Sequence, residues 1–138
     1  MPNSASAILV HKNKVLLVLR DNIPTISDPN TWNLPGGVVE EGEDFKTCCL
    51  REIEEEVNIK LNELVQIDEF TWPGGTSKHR GYFHKLTDEE AQSAKLGNEG
   101  QKIGFFSFEG LAGIKLSGTI RYQYQFHQEN LKNLIETY

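Results

Sequence analysis

Between Gly37 and Ile59 the chain reads GVVEEGEDFKTCCLREIEEEVNI. No other stretch constrains the fold and the chemistry as much. Phe45, Cys49, Ile53 and Val57 advance by fours, the apolar stripe of an amphipathic helix, which predicts a helix over 44–57. At about 100° per residue, Glu52, Glu55 and Glu56 fall within one arc of roughly 100°, and Glu54 points away. One side of the helix can pack on a core while its flank presents three carboxylates to a common point. Carboxylates this close repel one another, and a divalent cation makes the arrangement tolerable. Such an oxygen-rich site suits chemistry on phosphates, because Mg²⁺ binds a few carboxylates together with substrate phosphate oxygens. Arg51, four residues before Glu55, is placed to hold a glutamate in a fixed rotamer. Gly42 permits a turn, Glu43 and Asp44 put negative charge in the first helical turn, and Asn58 suits a left-handed helix end. The competing reading is a solvated acidic helix laced with salt bridges.

Around this helix the pattern predicts strands at 5–10 and 14–19, joined by the polar turn His11-Lys12-Asn13. Residues 20–31 hold two prolines and several turn formers and read as a loop leading to Trp32 and the glycines. Strands follow near 64–71 and 80–86, separated by a hairpin loop from Trp72 to Ser77. Residues 88–95 fit a short helix or a loop, and 103–108 a strand. Ile120, Tyr124, Phe126, Leu131, Leu134 and Ile135 predict one C-terminal helix over about 119–136 that packs on the sheet. Strands on both sides of an internal helix, with another helix at the end, define an α/β protein with a central mixed sheet between helices.

At 138 residues the chain is expected to form one domain, 1–138. Eight of the 20 acidic residues lie between Glu40 and Glu56, and the net charge is −6. That argues against polymeric nucleic acid, which requires basic surface. No apolar run approaches the length of a membrane span, and MPNSASAILV lacks the pattern of a signal peptide. Cys48 and Cys49, the only cysteines, read as free packing thiols in a reducing compartment, so a cytoplasmic location is expected. His11, His79, His84 and His127 show no zinc-type spacing and read as surface or partly packed side chains.

The acidic run resembles the signature box of the Nudix hydrolases, G-x5-E-x7-R-E-U-x-E-E-x-G-U, where U is aliphatic. Gly37, Glu43, Arg51, Glu52, Ile53, Glu55, Glu56 and Ile59 match; Asn58 stands where the family has glycine. Asn is the next best residue for a positive φ, so the backbone is preserved. The lead-in from Trp32 to Gly37 is also similar to the family's. The box covers 23 residues of the chain.

The resemblance implies a Nudix-type α/β/α sandwich with a central mixed β-sheet and a catalytic loop–helix–loop. It implies hydrolysis of a nucleoside diphosphate linked to another group X, with Mg²⁺ or, alternatively, Mn²⁺. Carried over by position, Glu52, Glu55 and Glu56 face the cation, and the Gly36 carbonyl adds an oxygen. Glu55 and Glu56 are the direct ligands; Glu52 is a ligand, the general base, or both. Arg51 joins the catalytic set as an orienting residue, and Glu43 stabilises the loop–helix unit. Glu99, between Gly97 and Gly100 just before a strand, is the candidate further acid that completes the site; an ordinary loop acid is the equal alternative. Arg20, ending the second strand, is placed to reach substrate phosphates, with a plain surface arginine nearly as good a reading. Trp32 is expected to pack the glycine loop, and Asn33 to read a base edge. The Trp72 loop either closes over the ligand or is a simple hairpin tip. Tyr82, Phe83 and Phe105 are expected in the core.

The short chain resembles small MutT-like members. The leading expectation is a pyrophosphohydrolase of an unmodified or oxidised nucleoside triphosphate, giving monophosphate and pyrophosphate. The alternatives are hydrolysis of a nucleotide sugar or dinucleoside polyphosphate, and a non-catalytic nucleotide-binding regulatory domain. The presence of Glu52, Glu55 and Glu56 speaks against the last. The partner is a small nucleotide, bound by a monomer or a homodimer.

Overall fold

Ala5, Ala7 and Leu9 alternate with Ser6, Ile8 and Val10 in β1 (Ser4–His11), so the strand is buried on both faces. Lys12 and Asn13, at φ 49° and 64°, turn the chain tightly into β2 (Lys14–Leu19), which pairs antiparallel with β1 at Val10–Val15. The structure, a computed structural model, describes residues 2–137.

Beyond the hairpin the two strands part, and segment 32–38 enters the gap. There the chain forms two short strands that the sequence reading did not assign. Trp32–Asn33 forms β3 on β2, Gly36–Val38 forms β4 on β1, and the Ala7 N–H donates to the Pro35 carbonyl between them. Gly36 lies so close to Ala5 and Ser6 that any side chain would collide with them. Glycine is required here by the approach of two backbones.

The antiparallel hairpin of β5 (Val65–Thr71) and β6 (Lys78–Lys85) closes around the expected loop, and β6 lies parallel to β1 from Ser4–His79 to Val10–Lys85. β7 (Lys102–Phe106) pairs antiparallel with the other edge of β2. The mixed sheet therefore runs β3-β2-β1-β6-β5, with β4 on β1 and β7 on β2.

Helix α1 (Phe45–Val57) buries Cys48, Cys49, Ile53 and Val57 against Ala5, Ala7, Leu9, Leu16 and Val18. On the opposite face, α3 (Gly118–Phe126) and α4 (Gln128–Thr137) place Ile120, Leu131 and Ile135 against Ile8, Val10, Val15 and Leu17. The fold is thus an α/β/α sandwich around a mixed sheet. Short α2 (Asp88–Ser93) resolves the helix-or-loop alternative, started by a capping box between Thr87 and Glu90. Tyr82 and Phe83 are buried and Phe105 packs against the α1 layer, as expected. Among the described residues, no helix is long and apolar enough to cross a membrane.

Four local expectations are corrected. The C-terminal helix is two helices, interrupted at His127, whose backbone leaves the helical region at φ −140°, ψ 42°. Neither proline nor glycine marks the break. Phe126 lies off the buried stripe and is 67% exposed. The last strand stops at Phe106, and Phe108 opens a 3₁₀ turn over Glu109–Gly113. Most consequential, His79 is buried, with Nδ1 at 2.7 Å from Ser4 Oγ and Nε2 at 2.9 Å from Ser6 Oγ. Small serines on the neighbouring strand leave room for its ring. Burial holds its pKa down to about 4, so the ring is neutral.

Candidate active site

The α1 termini fix the direction of the acidic flank. Glu43 and Asp44 precede the helix instead of lying in its first turn, and Asp44 Oδ1 caps it by accepting from the Thr47 N–H at 2.7 Å. Gly42 turns the chain at φ 80°, and Asn58 ends the helix in the left-handed conformation at φ 60°, ψ 28°, as expected. The thiols of Cys48 and Cys49 are free and buried, and burial raises both above the ordinary thiol range, Cys48 to about 12. They are packing groups, not nucleophiles.

Arg51 is the centre of the local electrostatics. Its guanidinium forks onto Glu43, with Nε to Oε2 at 2.8 Å and Nη2 to Oε1 at 3.0 Å. Nη1 donates to Glu52 at 2.9 Å and to Glu55 at 3.1 Å, and Nη2 reaches the Val38 carbonyl at 3.3 Å. One cation thereby holds two of the three helix glutamates in fixed rotamers and ties the helix to the preceding loop. Arg51 holds the Glu43 carboxyl down to about 2, helped by the Glu40 N–H. Glu43 thus anchors the loop–helix unit.

Glu56 lies deeper. Its Oε2 accepts the Gly36 N–H at 2.7 Å, one of the contacts through which the wedge of segment 32–38 meets the helix. Gly37 lies against the Glu52 carboxyl, which a side chain at this position would displace. Burial pushes the Glu56 carboxyl up to about 8, opposed by the Gly36 N–H and reinforced by the Glu52 and Glu99 carboxylates. Glu52 is also raised, mainly by burial, while Arg51 opposes the shift.

Glu52, Glu55, Glu56, Asn98 and Glu99 line one cavity of about 240 Å³. Glu99, from a loop forty residues beyond the box, thus joins the helix carboxylates. A neighbouring cavity of about 250 Å³ shares Glu56 and Glu99 as a wall and adds Arg20, Asp21, Ile23 and Ile26. Arg20 therefore lies beside the acidic site, with its Nε bonded to the Ser27 carbonyl at 3.0 Å. Asn33 does not line the carboxylate cavity. Its side chain rests on Gly118, with Oδ1 accepting from the Leu34 N–H at 2.7 Å. Trp32 packs edge-on against Phe106 with ring centroids 4.7 Å apart, the packing role expected of it.

The donor set fits a hard divalent cation. Glu56 is a partly buried carboxyl group with a single short N–H partner, beside the Glu52 and Glu99 carboxylates, an arrangement that a cation would relieve. As the side chains stand, no three ligating groups among the described residues close on a common point. The reason is visible in Arg51: Nη1 draws the oxygens of Glu52 and Glu55 to itself, and a cation would compete for them.

Sequence reasoning missed an aromatic cavity of about 480 Å³, where Trp72, Tyr122 and Phe126 meet Arg121, Gln125 and Asp28. Phe70 and Tyr122 stack there at 4.9 Å, and Trp72 meets Phe70 edge-on at 4.8 Å. Its walls come from segments distant in sequence, so no local motif announces it.

The NUDIX domain family model matches residues 1–128. Nudix hydrolase 7 of Arabidopsis thaliana is 36% identical over 85 residues, which is 61% of this chain and 28% of that protein. An RNA pyrophosphohydrolase of Pelagibacter ubique (strain HTCC1062) is 39% identical over 66 residues, 46% of this chain and 39% of that protein. The matched stretch spans well under half the length of these relatives. The crystal structure of a MutT NUDIX hydrolase from Burkholderia pseudomallei has the same fold, with a TM-score of 0.73 at 23% identity over 91% of this chain and 97% of that one. With nearly the whole sequence matched, the chain belongs to the NUDIX domain family.

Proposed function

We propose that the protein is a Mg²⁺-dependent pyrophosphohydrolase that cleaves a nucleoside triphosphate, unmodified or oxidised, to monophosphate and pyrophosphate. The observation that carries this reading is that Glu52, Glu55, Glu56 and Glu99 line one small cavity. A divalent cation bound there supplies neutralisation of phosphate oxygens and polarisation of water. Glu55 and Glu56 are its ligands, with the Gly36 carbonyl beside them, and Mn²⁺ is the expected substitute. Arg51 orients Glu52 and Glu55, and Arg20 offers a positive charge to the phosphate chain. Water attacks phosphorus, its proton passes to Glu52 or Glu99, and the phosphoanhydride oxygen leaves with pyrophosphate. The aromatic cavity supports a base-bearing substrate, since stacked rings rimmed by Arg121, Gln125 and Asp28 suit a planar heterocycle. Free Cys48 and Cys49 support a reducing, cytoplasmic setting.

A second reading has its own observation. An open groove of about 640 Å³ runs along the outer flank past Arg51, Glu55, Asn58, Lys95 and Asn98. It offers space for a second polar group beyond the phosphates, as in a nucleotide sugar or dinucleoside polyphosphate.

The test is a substrate panel with purified protein, with and without Mg²⁺, with products separated chromatographically. Monophosphate and pyrophosphate from a triphosphate is the expected outcome. Two phosphate-bearing fragments from a conjugate would establish the second reading. Glu55→Gln should lower kcat by about 100-fold or more with the fold retained. Near-wild-type turnover in that variant, or undiminished turnover after chelation, rejects the metal-site assignment.

A further inference from the structure

Glu99 faces like charges at Glu52 and Glu56, so an unrestrained loop would carry it outward into water. The structure holds that loop at both ends. On the α1 side, the Lys95 N–H donates to the Val57 carbonyl at 2.9 Å and the Gly97 N–H to the Glu56 carbonyl at 2.8 Å. These are carbonyls that the helix end leaves without intrahelical partners. Gly97 lies directly on the Glu55 carbonyl, where no side chain fits. On the β2 side, the Gln101 N–H donates to the Leu19 carbonyl at 2.8 Å, and the Gly100 N–H to Asp21 Oδ2 at 3.3 Å. Gln101 Nε2 reaches further, to the Arg20 carbonyl at 2.9 Å and Asn30 Oδ1 at 2.8 Å. Those two acceptors stand at the neck of loop 20–31, which is closed by Asn30 N–H to the Asp21 carbonyl at 3.0 Å and Arg20 N–H to the Thr31 carbonyl at 2.8 Å.

We propose that Gln101 and Asp21 are positioning residues that lock the Glu99 loop to the Arg20 loop, so that the acid and the arginine that line one cavity with Glu56 are set by one shared clamp. The proposal rests on the reading of Glu99 as a member of the hydrolytic site. Gln101 lines neither cavity, and Asp21, in the wall of the Arg20 cavity, is bonded to the Gly100 N–H. They act through the placement of Glu99.

The test is a double-mutant cycle of Gln101→Ala and Glu99→Gln, with kcat and KM measured on the substrate found in the panel. Gln101→Ala is expected to lower kcat about tenfold or more with KM within about twofold, since small misplacements of a catalytic group cost that much. In the Glu99→Gln background the same change is expected to have no further effect. A second readout needs no turnover. Amide exchange at Gly100 and Gln101 in the metal-free protein should quicken about tenfold in Gln101→Ala, with the thermal midpoint near that of the wild type. Asp21→Ala should behave alike, and Asp21→Asn, which keeps an acceptor for the Gly100 N–H, should recover most of the lost rate. Equal losses from Gln101→Ala with Glu99 present and absent would overturn the proposal, as would unchanged amide exchange. An unchanged rate in Glu99→Gln alone would remove Glu99 from the site and the proposal with it. The hydrolase reading would still stand or fall on Glu55→Gln.

Discussion

At the scale of the residue, Arg51 explains how five acids can crowd one helix and its approach. Glu40, Glu43, Glu52 and Glu55 lie within ion-pair reach of its guanidinium, and Glu56 finds the Gly36 N–H instead. A lysine carries the same charge but cannot fork onto Glu43 and bridge Glu52 and Glu55 together. Arg51→Lys is expected to cost about 1–2 kcal/mol, the value of charge-assisted bonds discounted for a partly exposed site. Urea unfolding in metal-free buffer measures it. An unchanged midpoint would show that the ion-pair network adds nothing to stability. That Glu52, Glu55 and Glu56 share one flank of the helix was legible in the sequence, because helical spacing is a local property. Glu99 was legible only as an acid between glycines. Gln101 and Asp21 were not legible, because their partners lie some 70 to 80 positions away, joined only by the pairing of β2 with β7.

At the scale of the element, the strands, α1 and the β5–β6 hairpin followed from alternation, apolar spacing and turn residues. The break at His127 and the wedge of β3 and β4 did not, since both are set by what the chain packs against. The same holds for His79, which β6 carries between β1 and α3, where Ser6 Oγ also meets Thr119 Oγ1 at 3.0 Å. The neutral ring carries a pH signature. In the unfolded chain the histidine gains its proton near pH 6.5; in the folded chain it does so near 4. Its contribution is therefore full above pH 6.5 and is lost as pH falls from there towards 4, by about 3 kcal/mol in all. Burial raises Glu52 and Glu56, which shifts stability in the opposite sense on acidification, so the comparison must be between variants. Unfolding free energies at several pH values should fall more steeply in the wild type than in His79→Gln. Parallel curves would mean that the ring is not held neutral.

At the scale of the whole molecule, β1 contributes to both apolar layers, with Ala5, Ala7 and Leu9 facing α1 and Ile8 and Val10 facing α3 and α4. Neither layer can separate without uncovering the other. We therefore expect one cooperative urea transition over residues 1–138, with fluorescence and circular dichroism coincident. Mg²⁺ at about a hundred times its Kd should add about 2.7 kcal/mol. Two separable transitions would refute the single unit, and indifference to Mg²⁺ would count against the cation site. The parallel ladder of β1 with β6 also sets a sequence of events. Ser4 meets His79 only after some 75 intervening residues have been made, and parallel pairing over such a span is slow to close. The acidic helix leaves the ribosome before the strand that completes its platform, and the loop bearing Glu99 follows later still. A nascent chain thus carries its helix carboxylates before it can assemble them, and the cavity that gathers them with Glu99 is among the last features to form.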